Sequence, residues 1–111
     1  MIIVAGDIFI PADKRDACLA ASAALQQASR DDEPGCMAYS FGTDPCRDDV
    51  IVVYELWDTA ENLAAHFLHP NYMNMRAKLG EMGITGAEVL KHRVDASAPV
   101  YNTDGIATTD F

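Results

Sequence analysis

Hydrophobic and polar residues recur along the chain with two periods, which predict four β-strands and three helices. Short runs of β-branched and aromatic residues bounded by turn formers are typical of strands. Apolar residues that recur every three or four positions are typical of helices with one buried face. The predicted strands are residues 2–10, 36–42, 50–57 and 84–94, and the predicted helices are residues 12–30, a segment from Asp58 to Pro70, and residues 71–83.

Each predicted helix has an apolar side and a recognisable boundary. The DDEPG run at 31–35 ends the first helix, because it gathers residues that favour turns. Asp58 is the predicted N-cap of the second helix, with Glu61 as its capping-box partner, and Pro70 ends that helix. The residues predicted to face inward are Ala17, Cys18, Ala21, Ala24, Leu25 and Ala28 in the first helix, Leu63, Ala64, Phe67 and Leu68 in the second, and Met73, Leu79 and Met82 in the third.

The polar segment TDPCRDD at 43–49 predicts a hairpin between the second and third strands. The third strand therefore returns antiparallel to the second. In the second strand Met37, Tyr39 and Phe41 point to one side. The third strand, residues 50–57, is apolar at nearly every position, which indicates a strand covered on both faces.

The order of the elements, βαββαβ, predicts a ferredoxin-like α+β fold. Such a chain forms a four-stranded antiparallel sheet with its helices on one face. The opposite face would be bare, although the strand at 50–57 is apolar on both sides. A second copy of the same sheet is the simplest cover, so we expect a homodimer.

The length, charge and cysteine content of the chain argue against several kinds of binding partner and cellular location. The chain has 111 residues, which corresponds to one domain. Its net charge of −9, with no run among its eight basic residues, argues against nucleic acid. No stretch approaches the roughly 20 apolar residues of a membrane span, and no basic region typical of a signal peptide precedes the first strand. Cys18, Cys36 and Cys46 form no CxxC pair and are predicted to be free thiols, so a cytoplasmic location is expected.

The C-terminal tail differs from the predicted domain at 1–94. Residues 95–111 contain no basic residue, no helical period and several turn formers. Such a segment is either disordered or extended over a partner. Its large apolar residues, Val100, Tyr101, Ile106 and Phe111, favour contact with a partner.

Candidate chemistry is concentrated on the second predicted helix. Asn62, His66 and His69 follow one another at i, i+4 and i+7 and form one polar line beside its buried side. A histidine here is a candidate general base, and the amide of Asn62 is a candidate donor to an oxyanion. Trp57 and Tyr72 flank this line as candidate walls for a flat aromatic ligand. Further candidate substrate-binding residues are His69, Phe67, Met73 and Tyr39.

These residues also have structural interpretations. A histidine on a helix flank is more often a surface or hydrogen-bonded residue than a catalytic one, and a tryptophan at a strand end is more often part of the core. Asn62 alternatively supports the first helical turn. His66 and His69 are spaced to share a metal ion, but no third ligand lies at a suitable spacing, so neither a metal site nor another cofactor is predicted.

Two stretches of the chain resemble one known family. EPGCMAYSF at 33–41 and VVYELWDTAENLAAHFLHPNY at 52–72 are similar to the antibiotic biosynthesis monooxygenase family, whose E-P-G-C, E-x-W and A-x-H-x-x-x-P motifs occur here in order. The resemblance covers residues 1–94. It implies a homodimer whose sheets face each other as an α+β barrel. It also implies oxidation of quinols or polycyclic phenols to quinones by O2 without a metal, flavin or other prosthetic group, and a second branch of the family degrades haem.

The resemblance carries over to the site only in part. Trp57, Asn62 and His66 fit the family pattern, which implies that His66 takes a phenolic proton while Asn62 holds the oxyanion. The first strand has Gly6-Asp7 where some members carry an asparagine, and NYMNMRAKL lacks the axial histidine of the haem-degrading branch. Haem binding is therefore disfavoured. The alternative to a monooxygenase is a non-catalytic barrel that binds a small hydrophobic molecule.

Overall fold

A computed structural model describes residues 1–111 and contains the seven predicted elements in the predicted order. The strands are β1 (Ile2–Phe9), β2 (Cys36–Asp44), β3 (Arg47–Trp57) and β4 (Gly86–Arg93). The helices are α1 (Ala12–Asp32), α2 (Ala60–Phe67) and α3 (Pro70–Glu81).

The four strands form one antiparallel sheet in the order β2-β3-β1-β4, so the predicted ferredoxin-like α+β fold is confirmed. From the central strand β1 the chain runs through α1, its longest helix, to the edge strand β2. The β2–β3 hairpin then leads to the second central strand, β3. The helices pack mainly against β2 and β3. Because β4 is an edge strand with no helix over it, nearly all of its residues are exposed.

The core lies between one face of the sheet, here called the inner face, and the helices. Its buried apolar residues include Ile8, Ile51, Val53, Trp57, Leu63 and Leu79. In α3 the buried methionine is Met75, whereas Met73 is 51% exposed. The prediction that Met73 faces inward was wrong, because the buried side of α3 runs through positions 75 and 79, which are four residues apart.

The N terminus of α2 and the break before α3 differ from the predicted boundaries. Thr59, rather than Asp58, caps α2, and its hydroxyl accepts a hydrogen bond from the backbone N–H of Asn62 at 3.1 Å. Pro70 does not end α2 but occupies the first turn of α3, where its missing N–H costs nothing. His69 caps α3, and its Nδ1 accepts a hydrogen bond from Asn71 N at 3.0 Å.

Helix α1 buries Cys18 as predicted and packs Leu25 against the core, but the predicted inward residues Ala17, Ala21 and Ala24 are exposed. Its buried residues are Cys18, Ser22, Gln26 and Ser29. Gln26 is buried because its side-chain amide pairs with the backbone of edge strand β2, accepting from Phe41 N at 3.0 Å and donating to Phe41 O at 3.3 Å. Arg30 adds a bond from Nε to Tyr39 O at 2.8 Å. The position of α1 is thus fixed by polar contacts to a strand edge, which hydrophobic periodicity does not report.

Strands β1 and β4 approach so closely at Gly6 that no side chain fits there. Gly6 has a φ of +155°, and a Cβ at this position would collide with the backbone carbonyl of Glu88. Its neighbour Asp7 points away from the core and pairs with Arg47 at 3.0 Å. Gly6-Asp7 therefore has a structural role at the β1–β4 contact.

The sheet face opposite the core, here called the outer face, has no cover within the chain. Tyr54, Ala5 and Leu90 are aligned across β3, β1 and β4 on this face. Tyr54 is 42% exposed and Leu90 is 65% exposed. Val52 on the same face is also exposed. Strand β3 is thus covered on one face only in the isolated chain.

Residues 95–111 form a small hairpin rather than a fully extended tail. Tyr101 and Ala107 make an isolated antiparallel bridge, and Thr108 N donates to Val100 O at 2.9 Å. The apolar side chains of the tail remain exposed, so its contact with a partner stays a prediction. The three cysteines are free thiols. None of the helices has the length and apolar character needed to cross a membrane.

Candidate active site

A cavity of about 400 Å³ lies between the inner face of the sheet and helices α2 and α3. Its walls are largely apolar and include Val4, Ile8, Phe41, Val53, Met75 and Leu79. The polar residues that line it are Tyr39, Glu55, His66, Tyr72, Arg76 and Lys91. Because Glu55 and His66 are buried while Arg76 and Lys91 are exposed, the cavity has a closed end in the core and a mouth beside β4. Such a shape suits a small, mostly apolar ligand.

His66 lies at the closed end with only 2% of its surface exposed. Its Nδ1 is 2.7 Å from Oε1 of Glu33, which is itself buried at the end of α1. The other carboxylate oxygen of Glu33 accepts from Asn71 Nδ2 at 3.4 Å. When Nδ1–H donates to Glu33, the second ring nitrogen, Nε2, is left as the proton acceptor of the imidazole.

A second buried carboxyl lies on the other side of the imidazole. Oε1 of Glu55 is 3.8 Å from His66 Nε2 and accepts a hydrogen bond from Trp57 Nε1 at 3.0 Å. Burial raises the pKa of Glu55 to about 7, the Trp57 hydrogen bond partly opposes this, and the negative charge of Glu33 adds to it. Near neutral pH, Glu55 is therefore present in both the protonated and the ionised form.

Aromatic rings surround His66. The Trp57 ring is fully buried, with its centroid 4.6 Å from that of the imidazole. Tyr39 and Tyr72 approach edge-on, with centroids at 5.6 and 5.3 Å, and Phe67 packs against Tyr72 at 5.3 Å. Burial, with the nearby charges of Glu55 and Glu33, raises the pKa of Tyr39, so that phenol stays protonated. The imidazole is thus held on several sides and has little freedom to turn.

The turn after α1 places Glu33, and Asn62 supports that turn. Gly35 has a φ of +78°, and a Cβ there would collide with the side chains of Asp58 and Asn62. Asn62 Nδ2 donates to Asp58 Oδ1 at 2.8 Å, and Asp58 N donates to Gly35 O at 3.0 Å. These contacts fix the E-P-G turn against the start of α2, and the carboxylate of Glu33 is thereby directed at His66.

The structure brings together some of the predicted site residues and not others. His66, Tyr39, Phe67 and Tyr72 line the cavity. Four predicted residues do not line it: Asn62, Trp57, His69 and Met73. Asn62 binds Asp58, His69 caps α3, and the fully buried Trp57 bonds Glu55, so the side chains of these three residues are engaged within the protein.

Sequence reasoning missed both carboxyl groups that face His66. Glu55 had a signal, because alternation along β3 places it on the same face as Val53 and Trp57, where a charged residue is unusual. For Glu33 the sequence gives no signal of burial beyond its place in the E-P-G-C motif, because the DDEPG run is typical of an exposed turn. No group of three or more His, Cys, Asp or Glu side chains is arranged to hold a metal ion.

Comparison with known sequences identifies related proteins. The model of the family described as antibiotic biosynthesis monooxygenase matches residues 1–78. The uncharacterized protein sll1783 of Synechocystis sp. is 31% identical over 93 residues, which make up 84% of this chain and 63% of that protein. The chain thus spans less than two thirds of that relative's length.

Several solved structures share the fold. A Deinococcus radiodurans protein whose name places it among the antibiotic biosynthesis monooxygenases has a TM-score of 0.81 at 19% identity, over 92% of this chain and 100% of that one. Rv0793 from Mycobacterium tuberculosis has a TM-score of 0.74 at 24% identity, over 88% and 98% of the two chains. A conserved Bacteroides thetaiotaomicron protein of unknown function, described as a possible oxidoreductase, has a TM-score of 0.67 at 26% identity, over 82% and 92%.

Proposed function

Because the chain belongs to the antibiotic biosynthesis monooxygenase family, we propose that it oxidises a quinol or polycyclic phenol to a quinone with O2. The observation that carries this proposal is the position of His66, held between Glu33 and Glu55 at the closed end of an apolar cavity. The oxidoreductase description of the Bacteroides thetaiotaomicron neighbour is in keeping with this class of reaction.

The first step is removal of the phenolic proton by His66. The substrate ring occupies the apolar part of the cavity beside Tyr72 and Phe67, and its hydroxyl reaches Nε2 of His66. The proton moves from the phenol oxygen to Nε2, which leaves a phenolate and an imidazolium. Glu33 stabilises the imidazolium because its carboxylate is bonded to Nδ1, which makes Glu33 a positioning residue.

Glu55 holds the oxygen of the phenolate, the role that the sequence assigned to Asn62. A protonated Glu55 donates a hydrogen bond to the oxyanion, as a buried carboxylic acid does when its surroundings keep it neutral. It lines the cavity next to His66 Nε2, whereas Asn62 does not. The ionised form of Glu55 would repel the phenolate, so the neutral form is the productive one.

The oxygen chemistry then uses the electrons of the substrate. The phenolate gives one electron to O2, and the resulting superoxide combines with the phenoxyl radical at a ring carbon to form a peroxide. The ring C–H proton leaves and the O–O bond breaks, so that one oxygen atom stays on the ring and the other departs as water. The balance is one phenol and one O2 to one quinone and one water, with no other reductant.

We also propose that the working form is a homodimer. The outer face presents Tyr54, Leu90 and Val52 to solvent in the single chain, and such a surface favours burial against an identical one. In a face-to-face pair each cavity stays on the helix side of its own sheet and keeps its mouth beside β4. The dimer therefore stabilises the sheet without closing the site.

The decisive experiment is oxygen uptake by metal-stripped protein over a panel of quinols and polycyclic phenols. The His66→Gln variant should lose uptake, because glutamine keeps polar contacts but accepts no proton. His92→Gln is the matched control, because His92 does not line the cavity and an uncharged polar replacement on the outer face should leave the dimer intact, which its mass in solution checks. Uptake that survives in His66→Gln would remove His66 from the mechanism.

The second candidate is a non-catalytic protein that binds a small hydrophobic molecule. Two observations favour it: Asn62 lies outside the cavity, and β1 places the side-chain-free Gly6 between Val4 and Ile8 on the inner face. Tight binding of aromatic compounds with no oxygen uptake by any of them would support this candidate against the monooxygenase.

A further inference from the structure

Two unpaired cations stand at the mouth of the cavity. Arg76 of α3 and Lys91 of β4 line it, both are exposed, and neither side chain makes an ion pair or a hydrogen bond within the chain. Of the eight lysine and arginine side chains, three form ion pairs, namely Arg15, Arg47 and Lys78. Among the five side chains without a carboxylate partner, Arg76 and Lys91 line the cavity, whereas Lys14, Arg30 and Arg93 do not.

Sheet register places Lys91 on the same line across the inner face as Glu55. Glu55 of β3 is opposite Val4 of β1, and Val4 is in turn opposite Lys91 of β4. The backbones at the two ends are therefore two strand spacings apart, roughly 10 Å. The row has a buried acid at one end, an apolar residue in the middle and an exposed cation at the other end.

Arg76 reinforces the cationic end from the helix side. It lies one helical turn after Tyr72 on the same face of α3, and it is an exposed residue that lines the cavity. A guanidinium binds a carboxylate through two parallel hydrogen bonds, which Lys91 supplements with a point charge. The mouth is therefore built to hold an anion.

We propose that the substrate is a hydroxylated aromatic compound that carries a carboxylate at the end opposite its hydroxyl. The hydroxyl enters first, toward His66 and Glu55, the ring packs against Val4, and the carboxylate stays at the mouth on Arg76 and Lys91. The assignment of the hydroxyl end rests on the proposed function. The assignment of the anionic end rests on the two cations alone.

The test measures binding, by calorimetry under nitrogen, of three naphthalene probes that differ in one group. 6-Hydroxy-2-naphthoate has its hydroxyl and carboxylate at opposite ends, 3-hydroxy-2-naphthoate has them adjacent, and 2-naphthol has no carboxylate. We expect 6-hydroxy-2-naphthoate to bind about tenfold more tightly than either other probe. That preference should weaken as salt is raised, because exposed charges are screened.

The Arg76→Gln/Lys91→Gln double variant should lose the preference and bind 2-naphthol as the wild type does. Lys14→Gln/Lys78→Gln is the control with the same change of charge, because neither lysine lines the cavity, and it should keep the preference. Equal binding of the three probes by the wild type, a preference that persists in the mouth variant, or no binding of any probe would overturn the proposal.

The outcome is separable from that of the proposed function. Binding under nitrogen involves no oxygen chemistry, so a carboxylate preference that depends on Arg76 and Lys91, together with no oxygen uptake on any quinol, would retain the anion site and reject the oxidation. Oxygen uptake that depends on His66 but not on a carboxylate in the substrate would retain the oxidation and reject the anion site.

Discussion

The Nδ1 atom of His66 lies 2.7 Å from Oε1 of Glu33, so the residue that ends α1 sets the orientation of an imidazole in α2. The two residues are 33 positions apart, and neither is exposed. The E-P-G turn places Glu33 next to His66. Asn62 and Asp58 hold this turn against the start of α2. The acid–base chemistry proposed for this cavity depends on that contact.

Replacing Glu33 by glutamine tests the role of its charge. Glutamine keeps an oxygen that accepts from Nδ1, but it does not stabilise an imidazolium. We expect kcat for oxygen uptake to fall about 100-fold with KM little changed, because acid–base assistance of this kind is lost while the apolar cavity is intact. Glu61→Gln, at an exposed position in the first turn of α2, should behave as the wild type. Equal rates for the two variants would exclude Glu33 from the mechanism.

The pKa of Glu55 predicts a pH dependence of stability. Burial raises this pKa from 4.5 to about 7, so between these values the unfolded chain loses a proton that the folded chain keeps. The folded state then binds more protons than the unfolded state, and the free energy of unfolding falls as pH rises through this window, by about 3 kcal/mol in total. The Glu55→Gln variant should not show this fall in the free energy of unfolding, because glutamine does not titrate.

Urea unfolding at pH 4.5 and pH 8 measures this effect. The stability of Glu55→Gln relative to the wild type should rise by about 3 kcal/mol between the two values. A difference that stays constant with pH would mean that Glu55 ionises in the folded protein as it does in the unfolded chain.

The same residue predicts the alkaline side of the activity profile. If protonated Glu55 donates to the oxyanion, kcat should decline as pH rises through about 7, where the carboxyl ionises. Glu55→Gln keeps a donor that does not titrate, so its activity should no longer decline there. The comparison requires kcat from pH 5.5 to 9 for both proteins, and a decline that persists in the variant would assign it to another group.

A pair of glycine substitutions tests the close contact between β1 and β4. Gly6→Ala should lower the free energy of unfolding by about 2–3 kcal/mol, because its methyl group would displace the backbone of β4 at Glu88. Gly80→Ala should raise the free energy of unfolding by about 0.5–1 kcal/mol, since Gly80 lies in α3 with open space around it. Denaturant melts of both variants and of the wild type measure these changes. A Gly6→Ala variant as stable as the wild type would show that β1 and β4 move apart to accept the methyl group.

The proposed dimer depends on the outer face. Tyr54→Arg and Leu90→Arg, aligned on either side of Ala5, should each shift the protein from twice the chain mass to once the chain mass by light scattering. Met73→Arg, which places the same charge on the half-exposed side of α3, should leave the mass unchanged. A mass equal to one chain for the wild type would refute the dimer.

The elements were predictable because their signals are local. Strand alternation, the hairpin turn and the separation of α2 from α3 are each encoded within a few residues, and the ferredoxin-like fold follows from the order of the elements. The helix faces were less predictable. In α1 the buried residues include Ser22, Gln26 and Ser29, and Gln26 is buried because its amide bonds the backbone of β2, a polar contact that hydrophobic periodicity does not indicate.

Of the predicted site residues, His66, Tyr72, Phe67 and Tyr39 line the cavity, whereas its carboxyl groups were not predicted. Spacing along one helix reveals which residues share a face, and so it placed His66 next to the core. It does not reveal that Glu33 returns to the same point from another element. The sequence assigned the oxyanion to Asn62 because that residue lies on the same helix as His66, whereas the sheet supplies Glu55 from the opposite wall.

The hydrogen bonds from α1 to the edge strand β2 also affect whether a strand from another molecule can add to the sheet. Gln26 and Arg30 occupy the peptide groups of Tyr39 and Phe41 along an otherwise open sheet edge. A strand from another molecule would have to displace both side chains before it could add to that edge. Of the two edge strands, β4 is therefore the one whose outward peptide groups are not bonded by side chains of the same chain, and any strand that joins this sheet would pair there.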